Sequence, residues 1–261
     1  MKEIPGERVE YTLRDIEAKE LTKLFLVFER SFRAHLDHKV KNWMRQLKPL
    51  LQSHPELAPY IDYLTNEEIP KIRNSPNFNR YQGDLEKACA ATSQISSDYD
   101  VAIGIAKKGL WLSYILDLYG LPTRDCLVIR TEPRTRFTVP LDFMVKKDVE
   151  GKRILVIDND VVSAGTLNAV ARHFAAAKAE VIDALVIYPW TEISREFYNM
   201  VRPNFRGKPT IHGERNDKVV LDATCEINPP VRKVISLQDY SVSEGEFHGL
   251  YERLEDRIRR Q

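Results

Sequence analysis

The sequence predicts an α/β protein built on a doubly wound, mainly parallel sheet, with a helical N-terminal appendage and a C-terminal extension. Three observations carry that expectation. Short, continuously apolar runs occur at 101–105, 126–129, 154–157 and 181–188, the form strands take when a parallel sheet buries both their faces. Helical stretches at 110–119 and 167–178 separate them, giving β-α-β, a longer connection, then β-α-β. Before residue 98 the apolar residues instead recur with the 3.6-residue period of helices.

Composition agrees with a folded, soluble chain. The 261 residues are 43% hydrophobic and 30% charged, with 11 Gly and 14 Pro, which excludes collagen-like, low-complexity and disordered classes. Thirty-nine Lys and Arg face 38 Asp and Glu, a formal net charge of +1. Nothing global draws the chain to nucleic acid or an anionic membrane, so neither is an expected partner, and any anion must be bound locally. The first fifteen residues hold no apolar signal core, and no apolar run approaches a membrane span. Cys89, Cys126 and Cys225 have no CxxC spacing, so neither a disulfide framework nor a zinc site is signalled. A cytoplasmic protein is the expectation.

Taken in order, residues 1–97 form the helical region. Thr12 with Asp15 resembles a helix-capping signal, followed by Leu21, Leu24, Phe25, Phe28 and Phe32 on one helical face. A second stripe holds Val40, Trp43, Met44, Leu47, Leu50 and Leu51, with Pro49 expected to kink or end its helix near Lys48. Both stripes call for a partner surface, within the chain or in a second copy. A connector rich in Pro and Asn leads to a helix at 85–95. Residues 98–190 form the sheet core. The extension, 191–261, begins with a basic, Pro- and Gly-broken stretch to Arg215. Possible strands follow at 218–223 and 231–237, then a solvated helix at 246–260 with Glu255/Arg259 and Asp256/Arg260 pairs.

In doubly wound sheets ligands lie beyond the carboxyl ends of the strands, so the residues following each run are read first. The run at 154–157 delivers Asp158, Asn159 and Asp160, then Val161 and Val162, then Ser163, Ala164, Gly165 and Thr166, opening a helix at Leu167. Small side chains admit an anion to backbone N–H groups, the hydroxyls add donors, and the helix N-terminus contributes partial positive charge. This is a phosphate cradle with polyol-binding acids beside it. His35-Leu-Asp-His38 places two imidazoles near a carboxylate but has no third ligand nearby, and reads as a polar helix face. The basic cluster Arg33, Lys39, Lys41, Arg45 and Lys48 reads as a solvated face, with nucleic-acid or phosphate contact as the alternative.

The segment Ile157-Asp-Asn-Asp-Val-Val-Ser-Ala-Gly-Thr166 resembles the fingerprint of type I phosphoribosyltransferases: a hydrophobic strand, two adjacent acids, two mostly apolar residues and a Thr/Ser-and-Gly loop. The resemblance covers about 98–190. It implies that the acids hold the ribose hydroxyls of phosphoribosyl pyrophosphate (PRPP) and that Val162–Leu167 bind its 5-phosphate. The acidic pair is Asp158-Asn159 in one register and Asn159-Asp160 in the other, with Asn where an acid is usual. Ala106, Lys107, Lys108 and Gly109 take the place of the family's pyrophosphate loop. The connection 130–152, bearing Arg134, Arg136, Lys146 and Lys147, takes the place of its mobile lid. Ile187-Tyr-Pro-Trp-Thr191 resembles the Pro-Trp segment of xanthine-guanine-like members, making Tyr188 and Trp190 candidates for stacking on a base. The acid that contacts the base in purine-salvage members is replaced by Val162 or Val161.

The resemblance implies a Mg²⁺-dependent transfer of the phosphoribosyl group from PRPP to a nitrogen nucleophile. Asp158 and Asp160 would meet the metal indirectly through PRPP, and the family commonly forms homodimers. Asn159 motivates the alternative, a non-catalytic PRPP- or nucleotide-sensing protein on the same fold.

Overall fold

In a computed structural model of the chain, the described residues are 5–63, 66–67, 82–106, 109–130, 136–141, 148–161, 165–189, 211–215, 218–221, 230–237, 240 and 244–261. Their elements run α1 (Pro5–Ser53), α2 (Ala58–Tyr63), α3 (Gln82–Ile95), β1 (Val101–Ala106), α4 (Leu110–Leu118), β2 (Thr123–Arg130) and β3 (Arg136–Pro140). They continue with β4 (Arg153–Val161), α5 (Gly165–Ala176), β5 (Val181–Pro189), β6 (Ile211–Arg215), β7 (Lys218–Leu221), β8 (Val234–Ser236) and α6 (Glu244–Arg259).

The main sheet has the order β3-β2-β1-β4-β5-β8. Neighbours are parallel except β2 and β3, which pair antiparallel from Cys126↔Pro140 to Arg130↔Arg136. From β1 the chain crosses through α4 to β2 on one side; from β4 it crosses through α5 to β5 on the other. The topological switch therefore falls between β1 and β4, where crossover helices leave a crevice.

Strand alternation divides the sheet into two buried faces. Val101, Ile103, Ile105, Ile154, Val156, Ile182 and Ala184 meet Leu167, Val170 and Phe174 of α5. Ala102, Leu155, Ile157, Leu185 and Ile187 meet a layer built from α1, α3, α4 and α6. Both faces being covered, the central strands are apolar throughout, as expected from their sequence.

The N-terminal half of that layer differs from expectation in three ways. The two apolar stripes lie on one helix, continuous from Pro5 to Ser53, because Leu36 bridges them on the same buried face. Pro at the first helical position costs nothing, since that N–H has no intrahelical partner, and Thr12 lies inside the helix rather than capping it. Pro49 does not end the helix near Lys48: it stands one turn before the terminus, and that last turn is closed by the Ser53 hydroxyl on the Pro49 and Leu50 carbonyls at 3.2 Å and by His54 N–H on Leu50 at 2.8 Å. Leu24, Phe25, Phe28, Phe32, Leu36, Trp43 and Leu47 are buried in the chain's own core, so these stripes supply no argument for a dimer.

Further along, part of the 130–152 connection is sheet: β3 adds an antiparallel edge strand. Residues 211–215, read from sequence as part of a broken basic stretch, form β6 and pair antiparallel with β7 in a separate two-stranded sheet. The possible strand at 231–237 is β8, shortened to three residues on the β5 edge.

Polar contacts fasten the layers. Lys39 of α1 donates to the buried carboxylate of Asp125 on β2 at 2.7 Å. Asp183, fully buried on β5, accepts from the Tyr99 hydroxyl at 2.8 Å and from both ends of the Arg232 guanidinium at 2.6 and 3.1 Å. Burial opposes its charge, but these donors outweigh burial and hold the carboxyl below its usual range. Cys89 and Cys126 are free and buried, and burial pushes the Cys89 thiol up to about 12, so both are inert packing groups. Cys225 lies outside the described residues. No described helix is long and apolar enough to cross a membrane.

Candidate functional site

The carboxyl ends of β1 and β4 lie side by side, paired in register up to Gly104↔Ile157. Beyond this point β4 keeps its pairing with β5 as far as Val161↔Pro189, so Asp158 and its successors ride on a strand extension flanking the switch-point crevice. Asp158 itself is half-buried.

From the other side, β1 ends at Ala106 and the chain turns back through Gly109, the N-cap of α4. Gly109 N–H donates to Ile105 O at 3.0 Å, and Ser113 N–H to Gly109 O at 3.1 Å. The turn is pressed against β4: a Cβ at Gly109 would lie 2.4 Å from the Ile157 carbonyl oxygen and 3.1 Å from both Ile105 N and O. Its φ of −73° is ordinary, so glycine is needed for space, not for conformation. This close approach brings Gly109 against the residue that precedes Asp158. A second close approach sets α4 on β1. A Cβ at Gly104 would stand 2.6 Å from Ser113 Oγ and 2.9 Å from its Cβ, and the Ser113 hydroxyl is turned onto Leu110 O at 2.8 Å. Sequence reading missed this pair; its signal was a glycine inside an apolar strand facing a serine inside an apolar helix.

The third component is the start of α5. Gly165 and Thr166 are half-buried at its N-terminus, and Leu167 is fully buried among β-sheet residues. A twelve-residue helix thus points its N-terminal N–H groups to the same end of the sheet as Asp158 and Gly109. The topology therefore places Asp158, Gly165, Thr166, Ala106 and Gly109 at one end of the sheet. Asn159 and Asp160 follow on β4, with Asp160 in register with Tyr188 of β5. Arg136 is placed two strands from β1, paired with Arg130 on the antiparallel edge. Lys107, Lys108, Arg134, Lys146, Lys147, Val162, Ser163, Ala164 and Trp190 lie outside the described residues.

Among the described residues no three His, Cys, Asp or Glu gather as a metal cluster. Carboxylates at the end of β4 suit a Mg²⁺ held through a bound phosphate ligand rather than in a protein cage. His35 is half-buried and stacks on Tyr114 at 4.6 Å between centroids, whereas His38 is exposed.

Comparison with known proteins gives the class. Residues 80–199, a stretch that contains all three components, match the family model described as phosphoribosyl transferase domain. No curated protein matches the chain. Among solved structures, a purine phosphoribosyltransferase from Pyrococcus horikoshii is 19% identical, with a TM-score of 0.35, over 40% of this chain and 72% of that one. A hypoxanthine-guanine phosphoribosyltransferase from Bacillus anthracis is 18% identical, with a TM-score of 0.34, over 40% and 64%. A Neisseria gonorrhoeae hypothetical protein with bound ppGpp is 15% identical, with a TM-score of 0.39, over 66% and 93%.

Proposed function

We propose that this protein transfers the 5-phosphoribosyl group of PRPP to a nitrogen nucleophile. The C1–oxygen bond to pyrophosphate breaks and its electron pair leaves with the diphosphate; the new C1–nitrogen bond forms, and the nucleophile's proton passes to solvent or a base. The observation that carries this reading is Gly109 against the Ile157 carbonyl, with a Cβ separation of 2.4 Å that only glycine tolerates, within a segment that matches the phosphoribosyl transferase domain.

In this reading Asp158 and Asp160, with Asn159, orient the ribose hydroxyls. The 162–167 loop anchors the 5-phosphate on the α5 N-terminus, and Ala106–Gly109, with Lys107 and Lys108, faces the diphosphate. Binding energy at the phosphate is then available to position the distant reacting carbon. Asp158 and Asp160 would hold Mg²⁺ indirectly, through bound PRPP, and the cation would supply charge neutralisation for the leaving group. Arg134 and Arg136 belong to the lid side, and Tyr188 and Trp190 to the acceptor side. A hood over the core at 98–190 would come from the helical region 1–97 or from the part of 191–261 outside β8 and α6, which join the main sheet and its helical layer.

The test is thermal unfolding with PRPP and Mg²⁺, followed by a pyrophosphate-release screen of acceptors. Ligand at about a hundredfold over Kd adds about 2.7 kcal/mol. A shift with PRPP and Mg²⁺ that Gly165→Asp abolishes supports the site; no shift at saturation rejects it. Asn159 within the acidic segment favours a second reading, a non-catalytic PRPP or nucleotide sensor. Binding without turnover, with turnover appearing in Asn159→Asp, would select it.

A further inference from the structure

The whole chain is nearly neutral, yet between residues 22 and 53 the exposed face of α1 carries a single sign of charge. Residues 22–53 hold seven Lys or Arg against two carboxylates, Glu29 and Asp37. Packing then sorts the cations. Lys39 turns inward to Asp125, and Arg33 folds onto Glu29. Lys23, Arg30, Lys41, Arg45 and Lys48 are exposed, and none of the five forms an ion pair among the described residues. Every exposed residue of this stretch is cationic or uncharged, His38 included, while Glu29 and Asp37 are half-buried at the flank. The five cations fall on one helical stripe, about 37 Å from Lys23 to Lys48 at 1.5 Å per residue.

We propose that this stripe is a docking surface for duplex nucleic acid, held through its phosphates without reading bases. A duplex is a straight polyanion with one charge per about 1.7 Å of axis, matched in sign and in extent by the cationic stripe. An anionic membrane fits less well. An interfacial helix binds by sinking its apolar face among lipid chains, and the apolar face of α1 is buried in the protein core, leaving Leu26 as the one large hydrophobic exposed on its described side chains. The surface lies on a different element from the phosphoribosyl site and does not depend on it.

The experiment is fluorescence anisotropy of a labelled duplex of about two helical turns, titrated with the full chain between about 50 and 200 mM salt. Five phosphate contacts give a slope of log K against log salt of about −4 to −5. Lys41→Glu, Arg45→Glu and Lys48→Glu together should flatten that slope by about 3 and weaken low-salt binding by more than about tenfold, with unchanged melting temperature. Should that triple variant not fold, the corresponding Gln variant gives the same reading with a smaller loss. No salt-dependent retention by the wild type, or equal affinity in a folded variant, overturns the proposal. Tighter binding to phosphatidylserine vesicles than to the duplex also overturns it and assigns the stripe to anionic lipid.

Discussion

Arg257, near the end of the C-terminal helix α6, donates a 2.6 Å hydrogen bond to the carbonyl oxygen of Leu118, the last residue of α4, and its guanidinium lies 4.6 Å from the centroid of the Tyr119 ring. The first residue of α4 follows Gly109. The helix that carries the proposed diphosphate turn at one end is therefore capped at the other by the far terminus of the chain, and Tyr114 on the same helix donates to Gln261 at 2.8 Å.

Removing that cap gives the first prediction. A hydrogen bond from a charged donor contributes about 1.5–3 kcal/mol, and the ring contact about 0.5–1. Arg257→Ala should lower the melting temperature by several degrees, about 2–4 °C per kcal/mol for a chain near this size. Arg257→Lys should recover part of the loss. Calorimetry checks it; an unchanged melting temperature in Arg257→Ala would mean the cap is decorative.

Gly109 gives the second. Alanine there forces its Cβ against the Ile157 carbonyl, and backbone on both sides must shift by several tenths of an ångström. Because Gly109 is followed by a helix and Ile157 by Asp158, the displacement falls on the proposed diphosphate and ribose subsites together. The expected outcome is a folded protein whose PRPP-induced thermal shift is lost, whereas Gly120→Ala, with no atom near its Cβ but a φ of +89°, should cost stability through backbone strain and leave the shift intact.

Much of the sheet was legible because its central strands are buried on both faces, a condition that leaves a continuous apolar run. Edge strands leave no such mark. In Arg136-Phe-Thr-Val-Pro140 the strand is specified by its partner β2, and flanking cations made the stretch read as lid alone. In α1 the error ran the other way, local signals at Thr12 and Pro49 being overruled by a buried face that runs unbroken through Leu36. At the site, the strand–acid–small-loop pattern was legible as chemistry. Which carbonyl Gly109 must approach was not, because that depends on how β1 and β4 pair.

The third prediction concerns Lys39 and Asp125, whose carboxylate is fully buried. A charge left in the interior without its partner costs about 3–5 kcal/mol, while replacing both members by apolar groups of similar size is often neutral. Lys39→Met should destabilise strongly, and Lys39→Met with Asp125→Leu should recover most of the loss, as denaturant midpoints will report. Additive losses in the double variant would contradict it.

The fourth concerns acid, where two aspartates act in opposite directions. The Asp183 carboxyl is held below its usual range because the Arg232 guanidinium and Tyr99 hydroxyl outweigh burial. Its contribution is therefore fully present above the unfolded value of about 3.9 and is lost as pH falls through the lower folded value. Asp117 is raised, by burial foremost, with Lys39 and Arg124 offsetting part of it. Its folded form holds the proton more tightly than the unfolded chain does, so its ionisation costs stability above the folded value and costs nothing below the unfolded one. Asp183→Asn should then melt well below wild type at neutral pH and converge on it as pH falls below about 4. Asp117→Asn should melt above wild type at neutral pH and lose that advantage in acid. Calorimetric scans from neutral to acid pH test both at once, and a lowered neutral-pH melting temperature in Asp117→Asn would show that its attraction to Lys39 outweighs its burial.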